Sequence, residues 1–198
     1  MKIFGIVIYY KDAAEVRVLK NAFELQSFGF FQRASVRDFI VFTGKLIIER
    51  SGVPARCSVK EQEYMCHVYI RSDRLSALVV ADSEYPNRVA HNMMTKLLDD
   101  FGAKVPNTTW TTGTDSSINY PDIDLFLNRY QNPRECDAMT KVQEELDETK
   151  VILHNTIQAV LERGEKLDDL VERSEGLTMQ SKLFYKQARR MNKCCTWI

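Results

Sequence analysis

Ile3 to Tyr10 is a continuous apolar run, and Glu15 to Phe23 alternates through Val16, Val18 and Ala22. These patterns predict two strands joined as a hairpin at Lys11-Asp12. From Ser35, the positions Val36, Phe39, Ile40, Phe42, Thr43, Leu46 and Ile47 recur at three- and four-residue steps, which predicts an amphipathic helix ending near Ser51-Gly52-Val53-Pro54. Three more strands follow, over about 56–61, 64–71 and 75–81, the last apolar enough to be central. Pro86 suits the first position of a second helix carrying Val89, Met93, Leu97, Leu98 and Phe101 and closed by Gly102. A polar loop over 107–120 leads to a short helix over 121–130, and Gln131-Asn132-Pro133-Arg134 breaks the pattern as a domain boundary. Strand, strand, helix, three strands, helix is the order of an α+β domain: a five-stranded antiparallel sheet flanked by helices, over residues 1–130.

Beyond the boundary the chain changes character. Residues 138–193 hold no proline and carry a stripe stepping by three and four: Met139, Val142, Leu146, Thr149, Leu153, Thr156, Val160, Arg163, Leu167, Leu170, Ser174, Leu177, Ser181, Phe184, Ala188 and Met191. About seven heptads favour a coiled-coil helix over a surface helix. The stripe is poor as an autonomous zipper, because its threonines, serines and alanine bury little and Gly164 and Gly176 each cost a helix interior about 1 kcal/mol. Such a helix is expected to be loose alone and to order on a partner bundle. Arg163 holds a seam position, where a guanidinium needs acceptors from elsewhere yet can fix register and partner choice.

Charge and cysteines narrow the chemistry. The 198 residues carry 27 basic and 27 acidic side chains, a balance that does not advertise nucleic acid. No run approaches the roughly 20 apolar residues of a membrane span, and the opening MKIFGIVIYY is too short and too weakly basic for a secretory signal. A cytosolic chain is therefore expected, with membrane attachment only peripheral or covalent. Five cysteines (Cys57, Cys66, Cys136, Cys194, Cys195) are an odd number without metal-type spacing, so neither a structural disulfide nor a metal centre is expected. His67, His91 and His154 show no ligand pattern, and no phosphate loop or nucleophile elbow is present, so neither a cofactor nor enzymatic activity is expected.

The terminus MNKCCTWI closes with Cys195-Thr196-Trp197-Ile198, which fits the prenylation pattern, beside a second candidate lipid site at Cys194. One lipid holds a membrane only weakly, and two signals are needed for stable residence. Lys182, Lys186, Arg189, Arg190 and Lys193 lead into this tail with no acidic residue after Glu175, a run drawn to anionic headgroups. Trp197 and Ile198 depart from the common farnesylated ends, Ile198 being nearer the geranylgeranyl preference for bulky apolar residues.

The run VLERGEKLDDL (160–170), set in heptads after an α+β domain, resembles the core of an R-SNARE, with Arg163 matching the arginine of the central ionic layer. SFGFFQRASVRDF (27–39) and ADSEYPNRVA (81–90) look like a longin domain. With RYQNPRE (129–135), DETK (147–150) and the paired cysteines, essentially the whole chain is similar to the lipid-anchored R-SNAREs of the synaptobrevin class. The resemblance implies a longin domain followed by a SNARE helix that joins three Q-SNARE helices in a parallel bundle, drives vesicle fusion and performs no covalent chemistry. It implies secretory (ER-Golgi, intra-Golgi), endosomal or vacuolar and autophagosomal transport, by a protein partitioned between cytosol and membranes. In the tail it implies a prenyl group on Cys195, with carboxyl methylation after trimming, and a palmitoyl or second prenyl group on Cys194. It further implies that the longin domain folds back on the SNARE helix and hides the lipid, with Phe42, and secondarily Phe39 and Phe31, forming the groove. Ser174 and Ser181, small residues in the seam, are candidate phosphorylation sites, since a phosphate would bring nearly two negative charges into a desolvated layer. Two other readings remain: a longin-type tether or adaptor that does not drive fusion, and acyl transfer by the tail cysteines.

Overall fold

The computed structural model describes residues 1–140 and 150–194. Strands β1 (Ile3–Lys11) and β2 (Val16–Phe23) form the hairpin, followed by helix α1 (Arg33–Arg50), strands β3 (Ala55–Glu61), β4 (Tyr64–Ile70) and β5 (Leu75–Asp82), and helix α2 (Asn87–Lys104). Helices α3 (Asp122–Arg129) and α4 (Pro133–Thr140), strand β6 (Val151–His154) and helices α5 (Leu167–Arg173) and α6 (Met179–Cys194) complete the chain. The sheet runs β2-β1-β5-β4-β3-β6. The first five strands pair antiparallel as the pattern predicts. The sixth, drawn from the heptad segment, adds in parallel to the free edge of β3, with Arg56 opposite Val151 and Val59 opposite His154. The sheet is thus mixed and six-stranded, a correction to the expected five.

Both faces of the sheet are covered, which explains the nearly unbroken apolar runs of β1 and β5. Ile6, Ile8, Ala77 and Val79 face one way, into a core with Val89, Met93, Leu97 and Phe101 of α2 and Ile123 and Leu127 of α3. Val7, Tyr9, Leu78 and Val80 face the other way, packing with Ile40, Leu46, Ile47 and Ile48 of α1. Each such fully buried aliphatic side chain contributes about 1.5–3 kcal/mol. Close approach of α1 to the sheet depends on Gly44: a β-carbon there would meet the Tyr9 hydroxyl and lie 2.7 Å from Leu78 Cδ2.

Two sequence-level boundaries move. Pro86 caps α2 rather than beginning it, and the helix continues through Gly102 to Lys104. At the break after α3 the chain stays attached: the Gln131 side-chain amide donates to Ile3 O (2.8 Å) while its oxygen accepts from Ile3 N (3.1 Å), imitating a strand neighbour at the start of β1. Tyr85 donates to Tyr130 O, and Cys136 of α4 is buried in the core beside α2. Residues 131–136 therefore seal the end of the domain.

The segment expected as one long helix over 138–193 is divided in this structure among its described residues. In its place are β6, a 3-10 turn at Ile157–Val160, and the antiparallel pair α5 and α6. The breaks fall where the stripe is weakest: Gly164 has φ +90, in left-handed space that suits glycine, and Gly176 lies in the turn between α5 and α6. With no partner bundle to bury the stripe, the surface of the folded domain supplies the contacts that a continuous helix would forgo.

Candidate functional site

The outer face of α1 and the free edge of β3 together form the surface on which the C-terminal segment lies. β6 takes the β3 edge, and the Ile157 amide donates to Glu61 Oε2 at 3.2 Å. Ile157 is buried in the α1-side core, with Val160, Leu161, Leu167 and Leu170 packed partly buried around it. The Tyr185 ring of α6 stacks on Phe39 with centroids 5.3 Å apart and planes 15° from parallel, and Phe39 meets Phe42 edge-on at 6.2 Å. Phe42 is half-buried against the α1-side core.

Polar contacts fix the two ends. At the start of α6, Ser181 is buried and its hydroxyl donates to Asp38 Oδ2 at 2.7 Å, while the Thr178 hydroxyl accepts from Ser181 N (3.2 Å) and so caps the helix. At the far end of α1, Arg50 grips Glu165 with two bonds of 3.1 and 2.6 Å. This charged pair raises the Arg50 pKa and lowers that of Glu165. Between α5 and α6, Lys186 pairs with Glu172 at 2.7 Å, and Arg189 and the Tyr185 hydroxyl both engage Asp168.

The structure thus brings together Phe39, Phe42, Ser181 and the partly buried Val160, Leu167 and Leu170, while Ser174, Phe184 and Ala188 are half-buried and Leu177 is buried. Arg163 and Thr156 are exposed, as is Leu153 on β6. Phe31 does not join the groove: it is 82% exposed and packs edge-on against an equally open Phe30. Met139, Met191 and Cys194 fall on α4 and α6, while Val142, Leu146, Thr149 and Cys195 lie outside the described residues. Sequence reasoning missed Ile157 and Val171, both buried yet off the heptad stripe, and the partners Asp38, Arg50 and Tyr185. A second apolar set interleaved with the stripe was the available signal.

On the opposite face of the sheet lies a buried polar cluster. The Ser58 hydroxyl contacts His67 Nδ1 at 2.8 Å and His91 Nε2 at 2.9 Å, and Arg56 donates to His91 O and Thr95 Oγ1 with its guanidinium over the Tyr69 ring. One hydroxyl hydrogen serves one ring nitrogen only, so the other ring donates its N–H to Ser58. Burial pushes His67 down to about 4 and His91, beside His67 and Arg56, down to about 3. The Ser58–histidine contacts are sealed from solvent and join β3, β4 and α2. Among the described residues no group of three metal-type ligands occurs and no helix is long and apolar enough to cross a membrane.

Residues 25–127 match the Longin family, described as a regulated-SNARE-like domain, and residues 138–198 match the Synaptobrevin family. The chain is 45% identical to the synaptobrevin homolog ykt6 of Schizosaccharomyces pombe over 195 residues, which is 98% of each chain. The chain belongs to the YKT6 family of longin-domain R-SNAREs. Identity is 41% to the YKT6 proteins of Saccharomyces cerevisiae and of Eremothecium gossypii, again over 98% of each chain. The Longin match covers the globular domain from Leu25 to Leu127, and the Synaptobrevin match opens on α4 and takes in all of β6, α5 and α6.

Proposed function

We propose that this R-SNARE acts in vesicle fusion by assembling with three Q-SNARE helices, and that the described structure is its self-inhibited form. The observation that carries this reading is that one segment has two incompatible uses. Residues 150–194 hold the heptad stripe from Leu153 to Met191, yet they lie as strand, turn and two helices over α1 and β3. While Ile157 is buried in the α1-side core and Ser181 is bonded to Asp38, the stripe is not available as one helical face. On release it forms a continuous helix whose Arg163 donates to three partner glutamines inside a water-free layer. Bundle assembly then supplies the free energy that draws the membranes together.

The tail completes the cycle. A prenyl group on Cys195 and a palmitoyl or second prenyl group on Cys194 hold the open protein on Golgi, vesicle, endosomal or vacuolar membranes, and the closed form returns it to the cytosol. Support comes from the paired cysteines and the basic run from Lys182 to Lys193. Mass spectrometry of the tail after expression in a eukaryotic cell reports the lipids and the trimming.

Phe42→Glu tests the closed form, since it sets a carboxylate in the aromatic cluster below α6. The expected result is faster proteolysis of residues 150–194 and a shift from cytosol to membranes. An unchanged protease pattern and an unchanged cytosolic fraction overturn the reading.

A further inference from the structure

The stretch around Arg163 is closed into a tight turn rather than a helix. The Glu165 amide donates to Glu162 O at 3.0 Å, with Gly164 at the third position of the turn holding φ +90. That is the conformation for which four-residue turns recruit glycine, and an α-helix at this point requires φ near −63° instead. The Glu165 carboxylate folds back to accept from Glu162 N at 2.9 Å, while the Gln158 side chain donates to Glu165 O at 2.7 Å. Arg50 holds this carboxylate with two bonds and also lies 3.8 Å from Glu162 Oε1.

We propose that Arg50 is the residue that keeps the Arg163 segment out of its helix, acting as a latch on the turn Glu162–Glu165. The inference rests on the self-inhibited reading above and names the residue that regulates it. Its logic is mutual exclusion. A helix through Gly164 sends the Glu165 amide to the Leu161 carbonyl, ends the contact of the Glu165 carboxylate with Glu162 N, and draws that carboxylate away from Arg50. Arg50 sits in the last turn of α1, where its charge also complements the helix C-terminus, so the latch is fixed to the rigid part of the fold. Gly164 serves both states at unequal cost: it is the residue that fits the turn, and it weakens the helix that replaces it. Arg163 itself is exposed on this turn. The latch therefore acts on its neighbours and leaves the guanidinium free in water.

The test is hydrogen exchange on the full chain, comparing Arg50→Glu, the exchange Arg50→Glu/Glu165→Arg, Gly164→Ala and Phe42→Glu. Arg50→Glu faces Glu49, Glu162 and Glu165 with a like charge. It is expected to speed amide exchange about tenfold or more both in residues 157–165 and in α6, with which Arg50 makes no hydrogen bond or ion pair among the described residues. The charge exchange restores protection in both places. Gly164→Ala, which changes no charge and meets no atom within 4 Å, has the same effect as Arg50→Glu by straining the turn and favouring the helix. Faster exchange confined to 157–165, or no recovery in the charge exchange, overturns the latch. If Phe42→Glu exposes α6 and Arg50→Glu does not, the latch fails and the self-inhibited form stands. If neither variant exposes α6, both fall.

Discussion

Acidification from pH 7.5 to 5 destabilises this fold by about 4 kcal/mol through His67 and His91 alone. The perturbation acts on two rings that are neutral when folded, with pKa values pushed down to about 4 and about 3. In the unfolded chain both return to about 6.5. Between pH 6.5 and 4 the unfolded state therefore binds more protons, and stability falls as the pH falls. Each ring costs about 1.36 kcal/mol per pH unit below 6.5, which gives about 2 kcal/mol each at pH 5. The structural cause is burial: neither His67 Nε2 nor His91 Nδ1 has a hydrogen-bond partner, and for His91 the charges of His67 and of Arg56, 4% exposed, add to it. A loss of this size is a large part of the 5–15 kcal/mol typical of a domain. Urea unfolding followed by circular dichroism at the two pH values measures it. His67→Asn with His91→Gln keeps an amide near Ser58 and removes both titrations, so this variant should lose less than about 1 kcal/mol over the same range. An equal loss in the double variant, or less than about 1 kcal/mol in the parent chain, refutes the reasoning.

Gly44→Ala forces α1 off the sheet, since its β-carbon lies 2.7 Å from Leu78 Cδ2 and collides with the Tyr9 hydroxyl. The expected cost is about 1–3 kcal/mol, read as a lower urea midpoint. Ser181→Asp replaces the hydroxyl that donates to Asp38 with a second carboxylate, as a phosphate there would. It should raise protease cleavage between α5 and α6 severalfold, while Ser181→Ala, which loses one charged hydrogen bond, has a smaller effect. Cys57 and Cys66 are buried, with pKa values pushed up by desolvation to about 11 and about 12, so in the native protein they should resist alkylation that reaches them within minutes in denaturant.

The longin-type domain was legible because each of its strands and helices announces itself locally. The β5 run is apolar on both faces, and the α2 pattern Val89, Met93, Leu97, Phe101 repeats every four residues. The C-terminal segment carries two messages in one stretch. Heptad spacing marks the helix of the proposed assembled state, whereas Ile157 and Val171, off that stripe, are buried in the conformation described. A periodicity search reports the regular message and passes over the irregular one. Asp38, Arg50 and Tyr185 were invisible for a different reason: the partners Ser181, Glu165 and Phe39 lie more than 100 residues away, and nothing local distinguishes a side chain that will find one. The Ser58–His67–His91 cluster likewise exists only once β3, β4 and α2 are brought together.

Strand β6 gives the segment a built-in order of events. As four residues of strand it spans about 13 Å, and as helix about 6 Å, so it cannot begin to coil without pulling away from Arg56–Val59. The portion nearest the paired C-terminal cysteines, α6, is already helical. Under the proposed function, a bundle that zippers toward the membrane starts from the upstream end, and that is the end the domain holds in the wrong geometry. On that reading the protein stores the finishing stroke ready-made and withholds the starting one, so that recruitment to a membrane and commitment to fusion are separate decisions.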